Sequence, residues 1–135
     1  MSRFFLLLML LSFSLASPAA ECGPAGQEKF DKFFSRFTKE AAFAKQRTRY
    51  PLLVTMIERE THDIRSSSIS PQEDEATPAL NDFMRAHELG FAGVKLQKNA
   101  ATVTVFRGEP LWRLSYLFRR DGGCWYLFEL EDRVD

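Results

Sequence analysis

Residues 111–131, LWRLSYLFRRDGGCWYLFELE, decide the fold of this chain. In the first part, large apolar side chains alternate with charged or small ones, which is the period of a strand with one face on a core. Asp121-Gly122-Gly123 then supplies turn residues, and a second alternating run begins at Cys124. The stretch therefore predicts an antiparallel hairpin with strands over residues 111–119 and 124–131.

The sequence before this hairpin predicts more strands and two N-terminal helices. Residues 93–98 and 102–107 read as short strands, and residues 52–59 and 64–69 as an earlier pair. An amphipathic helix is indicated by four aromatic residues at i, i+3, i+4 and i+7: Phe30, Phe33, Phe34 and Phe37. A second short helix is expected over residues 39–47. It must end before Tyr50-Pro51, because the residue before a proline avoids helical geometry.

Two helix starts compete in the middle of the chain. Ser70 and Glu73 have the spacing of a capping box, while Thr77-Pro78 offers an N-cap followed by proline at the first helical position. We favour the second start, which predicts a helix over residues 78–89 that ends at Gly90. Helices, a strand pair, a helix and a meander together predict an α+β fold. N-terminal helices should pack on a curved, mostly antiparallel sheet.

Residues 1–20 have the pattern of a cleavable signal peptide. Arg3 is followed by the apolar run 4–11 and then by the small residues of Ser17-Pro18-Ala19-Ala20. We expect cleavage near Ala20, a periplasmic or secreted protein, and a single domain over residues 21–135. An uncleaved N-terminal helix is the alternative. No later apolar stretch reaches the roughly 20 residues that a membrane span needs, so no span is expected.

Cys22 and Cys124 are the two cysteines of the chain. In an oxidising compartment such a pair tends to form a disulfide, which would tie the start of the exported domain to the last strand. Two unrelated thiols are the alternative. The 18 basic and 18 acidic residues balance, which argues against a nucleic-acid partner because such proteins carry a clustered basic surface.

Short motifs in both halves of the chain resemble a known family. The Phe-rich helix is followed by residues 43–47, FAKQR, and by Tyr50-Pro51-Leu52, and the end of the chain carries CWYL at 124–127 before acidic residues. These motifs resemble exported bacterial proteins of unknown function that have a nuclear-transport-factor-2-like fold, a cone-shaped roll. The resemblance implies a fold and no particular activity, since this fold hosts many functions.

Aromatic and basic side chains of the sheet are the candidates for binding. A pocket under the helices could be lined by Trp112, Tyr116, Trp125 and His87, although core packing is the alternative for each. The other candidates are basic and would form a surface for an acidic partner: Arg113, Arg119 and Arg120. We expect Arg47 to be held structurally by a carboxylate.

The sequence offers no constellation for metal binding or catalysis. Its two histidines, His62 and His87, lack companions at metal-ligand spacing, although Glu58, Glu60 and Asp63 surround the first. Asp31 and Asp63 are candidates for a general base, but neither has the apolar setting that raises a carboxyl pKa. We therefore expect no metal, no cofactor and no enzymatic activity.

The leading functional hypothesis is a non-catalytic binding module of the cell envelope that takes a small apolar ligand or a protein. One alternative is an immunity or inhibitor protein against a toxin delivered into the periplasm. Another is a pocket enzyme of the ketosteroid-isomerase-like type. A homodimer through the outer face of the sheet is compatible with each of these.

Overall fold

The computed structural model describes residue 22, residues 27–108 and residues 111–134. The signal peptide expected over residues 1–20 lies outside the described residues. The described elements follow in this order: α1 Phe30–Lys39, α2 Ala41–Gln46, β1 Thr48–Glu58, β2 Asp63–Ile69, α3 Leu80–Ala86, β3 Gly90–Leu96, β4 Ala100–Arg107, β5 Trp112–Asp121 and β6 Cys124–Val134.

The six strands form one curved, open sheet in the order β2-β1-β6-β5-β4-β3. Neighbouring strands are antiparallel except β1 and β6, which run parallel. The helices pack on the concave face, to which Val103, Leu114 and Phe118 contribute buried side chains. Thr104, Ser115 and Glu131 mark the opposite, convex face. This architecture confirms the α+β prediction of helices on a curved, mostly antiparallel sheet.

The hairpin predicted over residues 111–131 forms at the centre of the sheet. Trp112 pairs with Val134 at one end of β5 and β6, and Asp121 pairs with Cys124 at the other. The register shifts between Leu117 and Phe118. A bulge of this kind breaks the strict alternation of faces. Before it, residues 124–127 are buried on both faces, because Trp125 and Leu127 join the core while Cys124 and Tyr126 pack with Cys22.

The Phe-rich face of α1 builds the larger core on the concave face. Phe33 and Phe37 are almost fully buried, and the ring of Phe118 lies 5.5 Å and 5.1 Å from theirs, centroid to centroid, in edge-on contacts. Burial of an aromatic side chain of this size stabilises a fold by about 1.5–3 kcal/mol. This cluster therefore fixes α1 across the middle of the sheet.

The middle of the chain differs from the sequence prediction in its boundaries. Ser70 and Glu73 form the two reciprocal hydrogen bonds of a capping box, but they close a turn and start no helix. Helix α3 begins later, at Leu80, and its last turn gives way to Glu88, which has φ 55°. A left-handed residue ends a helix, so α3 stops before the expected Gly90.

Strand β1 begins at Thr48, earlier than the sequence predicts. Pro51 lies inside it, where the pairing of β1 with β6 is interrupted between Thr48 and Leu53. Because a proline cannot donate to a ladder, such an irregularity is where a strand tolerates one. No helix in the described part of the chain has the length and apolar character needed to cross a membrane.

Candidate functional site

A cavity of about 190 Å³ opens on the concave face, between the sheet, helices α1 to α3 and the loop of residues 70–79. Its walls are mainly apolar and include Phe37, Leu52, Ile69, Leu80, Phe83 and Leu127. The lining side chains come from seven helices and strands and from the loop. The cavity is thus a product of the tertiary fold, with no local sequence motif of its own.

Tyr116 brings a hydrogen-bonding group to this apolar wall. It projects from β5 between Leu114 and Phe118 on the concave face, and its hydroxyl has no hydrogen-bond partner among the residues that the structure describes. Burial raises the pKa of Tyr116 far above its ordinary value, and the negative charge of Asp74 raises it further. The hydroxyl therefore stays protonated and is a ready donor toward the cavity.

The loop of residues 70–79 forms one side of the cavity and is held in three ways. The Tyr50 hydroxyl donates a hydrogen bond to Asp74 Oδ2, and the Lys45 ammonium donates to the Glu75 carbonyl. Ser70 and Glu73 hold each other, because the Ser70 amide donates to Glu73 Oε2 at 2.6 Å and the Glu73 amide to Ser70 Oγ at 3.3 Å. Burial and the bond to Asp74 together raise the pKa of Tyr50.

The arrangement suits binding of an apolar body with one acceptor atom. Asp74 lines the cavity, but its carboxylate already accepts the hydrogen bond from Tyr50. Within the described ranges no three His, Cys, Asp or Glu side chains lie close enough together to hold a metal ion. What the cavity presents to a ligand is therefore shape, apolar surface, the Tyr116 hydroxyl and the polar groups of Lys45, Thr48 and Thr77.

The structure brings one of the four expected pocket residues to this cavity, namely Tyr116. Trp125 is fully buried in the core, and its indole Nε1 donates to the Glu28 carbonyl at 3.0 Å. Trp112 lies further along β5, where its Nε1 donates to Asp132 Oδ1 at 2.6 Å. His87 is exposed and packs on the ring of Phe83.

The three arginines expected to form a partner surface lie in different environments. Arg120 donates from Nη2 to the Glu28 carbonyl at 3.1 Å, and its guanidinium lies 4.8 Å from the centre of the Trp125 ring system. Arg119 is exposed over the ring of Phe128. Arg113 is half-buried on the convex face, beside a shallow groove that Lys95 also lines.

Residues suggested for acid–base or metal chemistry stay apart from the cavity. His62 is exposed in the turn after β1 with φ 57°, and the next residue, Asp63, pairs with Arg65 at 2.7 Å. Asp31 is exposed on the outer side of α1. Sequence reasoning missed Asp74, which lines the cavity, and Tyr50, which donates a hydrogen bond to it. Their only sequence signal is the Ser70–Glu73 pair, which marks an ordered turn.

A second polar cluster, here called the Glu28 clamp, lies at the end of the sheet near Cys124. Arg47 Nη1 donates to Glu28 Oε2 at 2.9 Å and to the Trp125 carbonyl at 3.3 Å, and the Trp125 amide donates to the same Glu28 oxygen at 2.9 Å. Arg47 is therefore held by a carboxylate, as the sequence suggests. The Cys22–Cys124 disulfide, with 5.3 Å between the Cα atoms, ties the preceding segment to the same hairpin.

Comparison with known proteins identifies the fold. No protein-family model matches the sequence, and no curated protein matches it. Among solved structures, the chain is similar to an NTF2-like protein from Bacteroides fragilis with a TM-score of 0.59 and 18% sequence identity. The similarity covers 81% of this chain and 48% of that one, so the chain spans about half the length of that relative.

Two further structures match more weakly. An NTF2-like protein of unknown function from Shewanella baltica has 10% identity and a TM-score of 0.44 over 78% of this chain and 90% of its own. A DUF4783 family protein from Bacteroides ovatus has 11% identity and a TM-score of 0.46, with 81% and 97% covered. The fold of this chain is nuclear-transport-factor-2-like, as the resemblance in the sequence implies.

Proposed function

We propose that this nuclear-transport-factor-2-like chain is an exported, non-catalytic binding module that takes up a small, largely apolar ligand in the concave cavity. The observation that carries the proposal is the Tyr116 hydroxyl, which faces an apolar cavity and has no partner among the described residues. A ligand that accepts a hydrogen bond from this hydroxyl would gain roughly 0.5–1.5 kcal/mol.

The dimensions of the cavity set the size of the ligand. A cavity of about 150 Å³ holds a benzene molecule, so a volume of about 190 Å³ fits a single ring or a short branched chain. The Tyr116 hydroxyl adds a preference for an acceptor atom such as a carbonyl oxygen. The expected ligand is therefore a compact apolar molecule with one oxygen at its edge.

Two features of the chain support an exported location for this binding module. Residues 1–20 have the signal-peptide pattern, and Cys22 and Cys124 are joined in a disulfide of the kind that persists in oxidising compartments. The disulfide and the Glu28 clamp hold the start of β6, next to Thr48 and Leu127 of the cavity wall. A rigid frame beside an open cavity favours binding, because little conformational freedom is lost when a ligand enters.

A matched pair of variants on α2 tests the proposal. Ala44 lines the cavity, whereas Ala42 is exposed on the other side of the same helix. Ala44→Leu should fill part of the cavity and abolish binding, while Ala42→Leu should leave binding unchanged. The measurement is NMR titration of the oxidised protein with cyclohexanone and phenol, which carry an oxygen, and with toluene, which does not.

The outcome is clear in both directions. Saturable shifts of cavity amides with the oxygen-bearing probes, lost in Ala44→Leu and kept in Ala42→Leu, would support the proposal. Equal binding by both variants, or shifts confined to residues remote from the cavity, would refute it. The far-ultraviolet circular dichroism of both variants checks that the fold is retained.

A further inference from the structure

The loop of residues 70–79 lies at the mouth of the concave cavity. Thr77 and Pro78 are the exposed members of the cavity wall, so the cavity meets solvent beside them. Helix α2 supplies the neighbouring part of the wall, and from this helix the Lys45 side chain reaches across to the Glu75 carbonyl of the loop. A ligand that enters the cavity from this side therefore passes between α2 and the loop.

The loop is ordered by hydrogen bonds within itself. The Asp74 amide donates to the Ser70 carbonyl at 3.1 Å, and the Thr77 amide donates to the Asp74 carbonyl at 3.1 Å. The reciprocal bonds between Ser70 and Glu73 add to these, and two prolines restrict the backbone further. Within the described part of the chain, no backbone–backbone hydrogen bond joins residues 71–78 to another element. The loop is therefore a compact unit that can move as one body.

Few contacts hold this unit to the rest of the fold. Its sequence, SPQEDEATPA, contains no aromatic residue and no Val, Leu, Ile or Met, so the loop buries no large apolar side chain. Among the described residues, its side-chain hydrogen bonds to other elements are the one from the Tyr50 hydroxyl to Asp74 Oδ2 and the one from the Lys45 ammonium to the Glu75 carbonyl. A segment with so few buried apolar contacts opens at a small cost in free energy.

We propose that this loop is a lid, held closed by its bonds to Tyr50 and Lys45, and that its opening admits and releases the ligand of the concave cavity. The inference rests on the proposed function, because it assigns control of ligand exchange to the same site. The two bonds come from β1 and α2, so each can be removed without changing Tyr116. Lids of this kind open and close in microseconds to milliseconds, which is slow enough to limit ligand exchange.

Ligand exchange rates test the bond from Tyr50. Tyr50→Phe removes this bond and leaves the cavity wall intact, since Tyr50 is not part of that wall. The rates of cyclohexanone entry and release, measured by NMR relaxation dispersion on the oxidised protein, should both rise about two- to tenfold. The dissociation constant should stay unchanged, because the free and the liganded protein lose the same bond. Tyr126→Phe is the matched control, because Tyr126 packs with Cys22 and Cys124 and does not line the cavity. It should leave both rates unchanged.

A buried thiol reports lid opening without any ligand. Leu52 lines the cavity and is 3% exposed, whereas Val103 is buried in the same core but does not line the cavity. In Leu52→Cys, a methanethiosulfonate reagent should modify the thiol faster than that variant's own free energy of unfolding allows. In Val103→Cys, modification should be no faster than global unfolding allows. Addition of Tyr50→Phe to Leu52→Cys should accelerate the modification about two- to tenfold.

The two measurements separate failure of the lid from failure of the binding module. Unchanged exchange rates in Tyr50→Phe, with cyclohexanone still bound, would overturn the lid and leave the binding module standing. Modification of Leu52→Cys that is as slow as global unfolding, or that Tyr50→Phe does not accelerate, would overturn the lid as well. Absence of binding by the wild-type protein would refute the proposed function. Faster modification of Leu52→Cys in the Tyr50→Phe background would, even then, support a lid that opens over the cavity.

Discussion

The two polar clusters beside the helices differ in one respect, which is whether their hydrogen bonds are complete. At the Cys124 end of the sheet, Glu28 binds Arg47 and Trp125 through its carboxylate, and its carbonyl accepts from Trp125 and Arg120. In the cavity, the Tyr116 hydroxyl has no partner among the described residues. The first cluster has its hydrogen bonds complete, whereas the second leaves a donor open to the cavity.

The same contrast appears in the packing. The Glu28 clamp lies against rings that touch one another, such as Phe30 and Trp125 with centroids 5.1 Å apart. The cavity, in contrast, leaves an open volume between Leu52, Phe83 and Leu130. Protein interiors normally contain few voids of this size. Close packing around the Glu28 clamp therefore lies beside an open volume in the cavity.

Among the variants considered, removal of Arg47 should lower the free energy of unfolding the most. Arg47→Ala would leave the Glu28 carboxylate, whose side chain is 13% exposed, without its cation. Breaking a buried ion pair in this way costs about 3–5 kcal/mol of the free energy of unfolding. Arg65→Ala, which removes an exposed pair with Asp63, should cost about 1 kcal/mol or less.

Urea denaturation of the two arginine variants measures how much each ion pair contributes to stability. The midpoint of Arg47→Ala should fall well below that of Arg65→Ala, while both keep a cooperative transition. Equal midpoints would mean that the clamp contributes no more than a surface pair. In that case the proposed contrast between a stabilising Glu28 clamp and a ligand-binding cavity would fail.

Loss of the disulfide should have the next largest effect. Cys22 and Cys124 are 102 residues apart in sequence, and closing so long a loop restricts the unfolded chain by an amount typical of about 2–4 kcal/mol. The double variant Cys22→Ser/Cys124→Ser should unfold at correspondingly lower urea. It should still fold, because Glu28 continues to bind Arg47 and Trp125.

Hydrogen exchange locates the effect of the disulfide. Protection should fall around residues 27–30 and at the start of β6, near the former bond, and stay unchanged in the loop of residues 70–79. A loss of protection in that loop, or a loss of ligand binding in the double variant, would show that the disulfide-linked clamp and the cavity are coupled. The two regions would then unfold as one cooperative unit.

The sequence predicts local and periodic features of this molecule well. The phenylalanines of α1 and the alternation of β5 are recognisable because each pattern repeats within a short segment. The pairing of Cys22 with Cys124 is suggested by the presence of two cysteines together with the signal-peptide pattern. These features predict the α+β fold and the Cys22–Cys124 disulfide without any knowledge of contacts between distant residues.

The cavity could not be predicted in the same way. Tyr116 and the core residue Phe118 occupy equivalent positions in the alternation of β5, and only the placement of α2 and of the loop with Asp74 distinguishes them. Trp125 looks like a pocket residue in sequence, but the Glu28 segment covers it. Contacts between residues remote in the chain decide which aromatic side chain meets an open volume.

The smallest and most specific effect is expected from two tyrosines, one with a bonded hydroxyl and one without. Tyr50→Phe removes the donor to Asp74 and should lower the free energy of unfolding by about 1 kcal/mol. Tyr116→Phe removes an unpartnered hydroxyl and should leave the free protein unchanged or stabilise it by up to about 1 kcal/mol. It should also weaken binding of cyclohexanone about fivefold while sparing toluene.

Alkaline pH provides a second readout for Tyr116→Phe. Burial raises the pKa of Tyr116 in the folded chain, whereas an unfolded tyrosine ionises near pH 10. The neutral phenol therefore favours the folded state, and this contribution is complete below about pH 10. Above it, stability falls by about 1.4 kcal/mol per pH unit for each such tyrosine, because the unfolded chain loses its proton first. Tyr116→Phe should flatten that decline. If it instead destabilises the free protein as much as Tyr50→Phe does, the Tyr116 hydroxyl is already bonded and the cavity has no polar group in reserve for a ligand.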